Sequence, residues 1–262
     1  MHTENASSES TAEGLPEPSE QSTLRSALLR VVSFTRKWHG RPGYSIDTLP
    51  EAVGAELRYI ALPASTSILG LSICPADGPP TIVLNEELIE HPGREVLTLC
   101  HEAFHVVAGF QGIARCDNAW KHDPMERLAW LGPSLFMVPE SVGLEVARAG
   151  FDPVAVGLKH QLSTLLVAQR AAIAVVEGKL PGNPRHAMEY LDASAYSLCA
   201  WSMMAVPPSA GEQDEGWGSF KVHPDLHAVR MATKPRWRSD LFTTQPFKLL
   251  ASSLCPTRAA AS

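Results

Sequence analysis

The chain has 262 residues, 45% of them hydrophobic and 19% charged, enough to bury one large core or two smaller ones. Its formal net charge of -6 gives no overall attraction to nucleic acid or to an anionic membrane. The five cysteines include no Cys-x-x-Cys pair, which argues against a disulfide framework and against a cysteine-rich zinc module.

From the N-terminus, residues 1–22 are rich in Ser, Glu, Thr and Pro and read as a disordered tail, since they carry too little apolar surface to offset their ordering entropy. No basic segment followed by an apolar run marks a secretory signal, and no apolar run approaches a membrane span, so a soluble cytoplasmic protein is expected. Leu24, Leu28, Val31, Val32 and Trp38 recur at helical spacing until Gly40-Arg41-Pro42-Gly43 stops the pattern. A short helix is predicted from Thr48 to about Ala55, with Pro50 in its first turn. Residues 57–62, 68–74 and 81–84 follow as strands, the last two joined by a hairpin turn at Ala76-Asp77-Gly78.

The spacing of Val96, Leu97, Cys100, Phe104 and Val107 predicts a helix over 93–108. An irregular polar connection with Gly112, Asp117 and Asn118 leads to a helix beginning near Pro124 and running through Leu128, Leu131 and Leu135 to a break near Pro139. Two helices, 141–149 and 153–159, meet at Gly150-Phe151-Asp152, and a longer one continues to about Glu177. This junction resembles a helix-turn-helix, but no basic recognition helix accompanies it, so direct DNA binding is not expected. Leu180-Pro181-Gly182-Asn183-Pro184 punctuates the chain as a domain boundary, and residues 181–262 are expected to form a small mixed domain.

The chemistry concentrates at His101-Glu102-Ala103-Phe104-His105. Two His four residues apart share one helix face, so both imidazoles reach one ion. Glu102 points about 100° away around the helix, too far round for a ligand but well placed as a base. Two imidazoles and a third protein group hold Zn²⁺, the ion brings the pKa of water to about 7, and the carboxylate takes the proton as water attacks a carbonyl. The alternative is a pair of helical His with no metal. Burying two imidazoles and a carboxylate among Leu97, Leu99, Cys100, Val106 and Val107 without partners would be costly, which favours the metal.

A third ligand must come from later in the chain, where Asp117, His122, Asp123 and Glu126 are the candidates. Asp123 precedes Pro124 and suits a helix N-cap better than a ligand. Glu126 sits inside a helix that can pack on the first, which favours it over His122 by a small margin.

Ile82-Val83-Leu84-Asn85, then Thr98-Leu99-Cys100-His101-Glu102-Ala103-Phe104-His105, then Glu126-Arg127-Leu128-Ala129 with Leu135, Met137 and Pro139 at matching intervals, resemble the ImmA/IrrE family of zinc metallopeptidases. The resemblance covers about Leu24 to Ala172. It implies an α+β fold: a zincin-like metallopeptidase domain over 23–140, a small twisted sheet plus the active-site helix, then a helix-turn-helix-like segment over 141–180 and a GAF-like character for 181–262. It implies His101, His105 and Glu126 as ligands of one catalytic Zn²⁺, with Mn²⁺ as the alternative ion, and Glu102 as base. It also implies a cytoplasmic endopeptidase whose substrate is a helix-turn-helix repressor, cleaved to induce a stress-response or mobile-element programme. Three positions depart from the family pattern. Phe104 replaces a Gly, Trp130 replaces an Asn, and Pro133 interrupts a run of small residues. A ring at 104 predicts a repacked wall beside the metal.

The rival reading is a non-proteolytic zinc-containing regulatory protein that binds a partner or DNA through the helices after Ser141. Glu102, which a structural zinc has no need of, argues against it. Lesser features are His223-Pro224-Asp225-Leu226-His227, which lacks a Glu between its imidazoles; His160, a candidate donor to the reaction's oxyanion but more simply a surface residue; Cys100, expected to face the core; and the basic Arg236-Trp237-Arg238 cluster.

Overall fold

A computed structural model describes residues 18–62, 68–86, 92–116 and 123–203. The expectations for residues 1–17, for Asp117 and His122, for the His223–His227 pair, for the Arg236 cluster and for everything after 203 lie outside the described residues.

The first helix, α1 (Pro18–His39), begins inside the stretch expected as a tail, with proline at its first position, where the missing N–H costs nothing. Its apolar face buries Ala27, Leu28, Val31, Val32 and Trp38. Ser45 then caps a 3₁₀ turn (Ile46–Thr48) through a reciprocal capping box, and α2 (Leu49–Ala52) continues directly.

Four strands follow: β1 (Glu56–Ile60), β2 (Gly70–Cys74), β3 (Thr81–Asn85) and, beyond the next helix, β4 (Gly112–Cys116). Their order is β1-β3-β2-β4, with β1 parallel to β3 and the other pairs antiparallel. The protein is therefore α+β around a small mixed sheet. Strand β4 corrects the irregular connection predicted over that stretch. Its two inward residues are the small Ala114 and Cys116, while the apolar Ile113 faces solvent at 55% exposure. The strand's sequence pattern is thus inverted, and only pairing with β2 makes it a strand.

Helix α3 (Pro92–Ala108) lies across β2, β3 and β4. The approach is close because Gly70 has no side chain: a Cβ there would stand 2.8 Å from Thr98 Cγ2 and 3.1 Å from Glu102 Oε1. On its other side α3 meets α1, α4 (Pro124–Ala129) and α5 (Gly132–Met137). Gly132 touches the α3 backbone so tightly that a Cβ would sit 2.2 Å from the Cys100 carbonyl oxygen.

The remaining helices are α6 (Glu140–Arg148), α7 (Pro153–His160), α8 (Thr164–Val176) and α9 (Pro184–Met203). Every residue of α8 is buried. Helix α9 packs on α8 and α4, and Leu180, Ala187, Tyr190 and Leu191 belong to the same hydrophobic core as α1 and α3. The punctuation at Leu180–Pro184 is thus a turn between helices that share one core. No helix among the described residues is long and apolar enough to cross a membrane.

Candidate metal centre

Helical spacing stacks His101 and His105 on one face of α3, and the fold turns that face inward, leaving both residues fully buried. Their Nε2 atoms lie 3.2 Å apart. Helix α4 delivers Glu126 to the same point. Asp123 accepts hydrogen bonds from the backbone N–H groups of Met125 and Glu126, at 2.8 and 3.3 Å, and so caps α4, which places Glu126 in its first turn. Glu126 Oε2 is 3.1 Å from His101 Nε2, and Oε1 is 3.2 Å from His105 Nε2.

The two ring nitrogens, each facing a different oxygen of Glu126, have a spacing that fits a metal. Bonds of about 2.0–2.1 Å to a tetrahedral ion separate neighbouring ligand atoms by about 3.3 Å. Burial lowers the pKa of His101 despite the adjacent Glu126, which keeps the ring in the neutral form a ligand needs. Burial pushes Glu126 up, but the hydrogen bonds from His101 and His105 outweigh it and hold the carboxyl at about 2. Imidazoles ligate a metal through neutral nitrogens, so two of them with one carboxylate would present a net charge of -1 to a divalent cation. Buried His101, His105 and Glu126 can therefore hold a metal ion.

Glu102 stands beside this set and outside it. It is fully buried; its Oε2 accepts a 2.6 Å hydrogen bond from Ser72 Oγ on β2, and its Oε1 has no hydrogen-bond partner. Burial raises its pKa well above the ordinary carboxylate range, Ser72 opposes the shift, and the charge on Glu126 adds to it. A cation at the centre would act in the opposite direction.

The rings that pack on the imidazoles are Trp130, 4.6 Å between centroids from His101, and Phe110, 5.7 Å from His105. Phe104, like Trp130, lies fully buried in the hydrophobic core. His160 Nε2 lies 2.7 Å from a carboxylate oxygen of Glu145 on α6. Cys100 is buried in the core, as expected.

Sequence reasoning missed Ser72, Gly70 and Cys116. A sulfur of Cys116, a ring nitrogen of His101 and a carboxylate oxygen of Glu102 all lie within 4.8 Å of one another. Ser72 and Gly70 alternate along β2 toward α3, a signal that becomes readable only once the strand's inward face is known. A cavity of about 600 Å³ opens elsewhere, between α1, α4 and α9; Leu128, Leu131 and Met188 line it, and no residue of the metal centre does.

Comparison with known protein families, with curated proteins and with solved structures gives no significant match.

Proposed function

We propose that the chain is a zinc-dependent endopeptidase of the ImmA/IrrE kind. The observation that carries this reading is the pair of His101 and His105 ring nitrogens, 3.2 Å apart and each 3.1–3.2 Å from an oxygen of Glu126, with the Glu102 carboxylate alongside. Zinc held by the three supplies Lewis acidity, polarising a carbonyl and acidifying water. Glu102 takes a proton from the attacking water as the new C–O bond forms, and returns it to the amine nitrogen as the C–N bond breaks. Ser72 fixes the rotamer of that carboxylate through the 2.6 Å hydrogen bond. Trp130 and Phe110 hold the imidazole planes and keep water from their edges. Strand β4 is an edge of the sheet whose end reaches the centre, so an extended peptide can add to it by main-chain hydrogen bonds. The substrate class is a helix-turn-helix repressor in the cytoplasm, and that part of the reading rests on the motif resemblance.

One observation favours the rival. His101, Glu102 and His105 are each 0% exposed, and closed sites are the mark of structural zinc. The two readings separate on Glu102. Zinc content and cleavage of the repressor encoded beside the gene are measured for wild type and Glu102→Gln. We expect one zinc per chain in both and fragments from wild type alone, with turnover down by about 10²–10⁴ in the variant. A zinc-loaded wild type that binds the repressor and leaves it intact selects the regulatory reading.

A further inference from the structure

The cavity of about 600 Å³ between α1, α4 and α9 has the volume of a small-molecule site. Its walls are aliphatic, built from Leu24, Leu128, Leu131, Val176, Met188 and Leu191, and none of its described lining residues is aromatic. Leu131, Val176 and Leu191 are buried members of the packed core, so the floor of the cavity is fixed. The charged residues of the lining are three arginines and two carboxylates. Arg127 holds Asp192 at 2.9 Å, and Arg185 holds Glu189 at 3.1 Å. Arg25 on α1 is left over: it is exposed and has no ion pair or hydrogen bond among the described residues. The lining therefore carries one uncompensated positive charge, in a chain whose formal net charge is -6.

We propose that this cavity binds a small aliphatic monocarboxylate, with its chain against the leucines and its acid group on Arg25. Aliphatic walls offer water few hydrogen-bond partners, so exchanging water for a hydrocarbon chain is favourable. The planar guanidinium of Arg25 can donate to both oxygens of one carboxylate. Without a ring to stack on, the walls suit a flexible chain better than a planar aromatic acid. Asp192 and Glu189, each already on an arginine, oppose a second negative charge, so a monoacid fits better than a diacid. The single uncompensated charge and the ligand-sized volume point to a free small molecule as the occupant. The site stands apart from the metal-centre reading, because none of His101, Glu102, His105 and Glu126 lines it.

The test is isothermal titration calorimetry of the full chain at pH 7 with decanoate, and with decanol as the uncharged control. Decanoate should bind saturably, one per chain, and about tenfold more tightly than decanol, the size of one hydrogen-bonded charge contact. Arg25→Gln should lose that preference while still taking up decanol, and Arg25→Lys should keep part of it. Met188→Trp, which fills the cavity, should abolish uptake of both probes. If Met188→Trp does not fold, the exposed Arg25→Gln decides the matter. Absence of saturable uptake, uptake that survives in folded Met188→Trp, or equal decanoate affinity in wild type and Arg25→Gln each overturns the proposal. Where uptake is absent, sedimentation names the other occupant: a dimer that Met188→Trp dissociates gives the cavity to a second copy, and a monomer gives it to the chain's own residues.

Discussion

Two polar clusters, one around the buried Arg170 and one at the α3–α4 centre, balance their charge differently. Around Arg170, on the fully buried α8, protein cations oppose the carboxylates, although Arg170 Nε and Nη1 and Glu177 Oε2 have no hydrogen-bond partner. Glu140 and Glu177 are met by Arg36 at 2.7 and 2.6 Å, by Arg170 at 3.5 and 3.6 Å, and by Lys179. At the α3–α4 centre the facing groups are two imidazoles and a carboxylate, whose ligand atoms lie within 4.8 Å of one another. The first cluster sets protein cations against its carboxylates, whereas the second is a set of groups that can hold a metal ion. That contrast separates a structural ion network from a site, even though both perturb their pKa values. Arg170, for instance, has its pKa lowered by burial against the pull of Glu177 and Glu140.

The sharpest way to break the comparison is Arg170→Ala. Removing a 1%-exposed side chain from between two carboxylates should cost about 3–5 kcal/mol, because Arg36 and Lys179 reach those carboxylates only from the rim. Zinc stoichiometry should be untouched, and the loss should be the same in zinc-loaded and chelator-treated protein, since distant sites add. Thermal denaturation of the four samples measures this. A variant that loses zinc along with stability would mean that the two clusters are one coupled unit.

The two clusters also differ in how far the sequence exposes them. His101, Glu102 and His105 are legible because helical periodicity is local: four residues put two rings on one face whatever else the chain does. Glu126 is less legible: Asp123-Pro124 announces the start of α4, but spacing alone favours Glu126 over His122 only by a small margin. What is not legible depends on register. Gly70, Ser72 and Cys116 meet α3 only because β2 pairs with β4 at Gly70↔Cys116, and β4 itself reads as a loop, with its apolar residue outward. Arg170 is hidden in the same way. Nothing local says that a charged residue in Thr164–Val176 faces inward, although the apolar run on every side of it marks a buried helix. The break at Leu180–Pro184 reads as a domain boundary because whether the next helix rejoins the core, as α9 does, is a long-range fact.

A smaller effect probes the contact between sheet and site. Gly70→Ala puts a methyl 2.8 Å from Thr98 Cγ2, 3.0 Å from the Val83 carbonyl oxygen and 3.1 Å from Glu102 Oε1. Overpacking of that kind should cost about 1–3 kcal/mol. Because Glu102 is one of the groups displaced, turnover should fall by more than the stability loss explains, with zinc still bound. Peptidase assays and denaturation on the same preparations test it. A variant as active as wild type would show that the carboxylate is not held where the β2 face puts it.

The smallest effect is the one whose sign discriminates best. In the metal-free protein, burial raises the Glu102 pKa well above the ordinary 4.5, so the folded state keeps a proton that the unfolded state loses. Stability from this group is therefore fully present below pH 4.5 and declines as pH rises through the folded value. Glu126 has the opposite sign. Its folded pKa of about 2 against the usual 4.5 means that its contribution is present above 4.5 and lost only as pH falls toward 2. Glu102→Gln keeps an acceptor for the Ser72 hydroxyl and removes the ionisable group. Chelator-treated Glu102→Gln should thus melt a few degrees above wild type at pH 7, a difference of about 1 kcal/mol in a domain of this size. The gap should close by pH 4, where wild-type Glu102 is protonated in both states, and Glu126, common to both proteins, cancels. Zinc should shrink the gap at pH 7, because the cation stabilises the Glu102 carboxylate. A gap that is independent of pH, or a variant less stable than wild type without metal, would mean that Glu102 is not strained by its burial. The contrast with the Arg170 cluster would then have to rest on the three ligands alone.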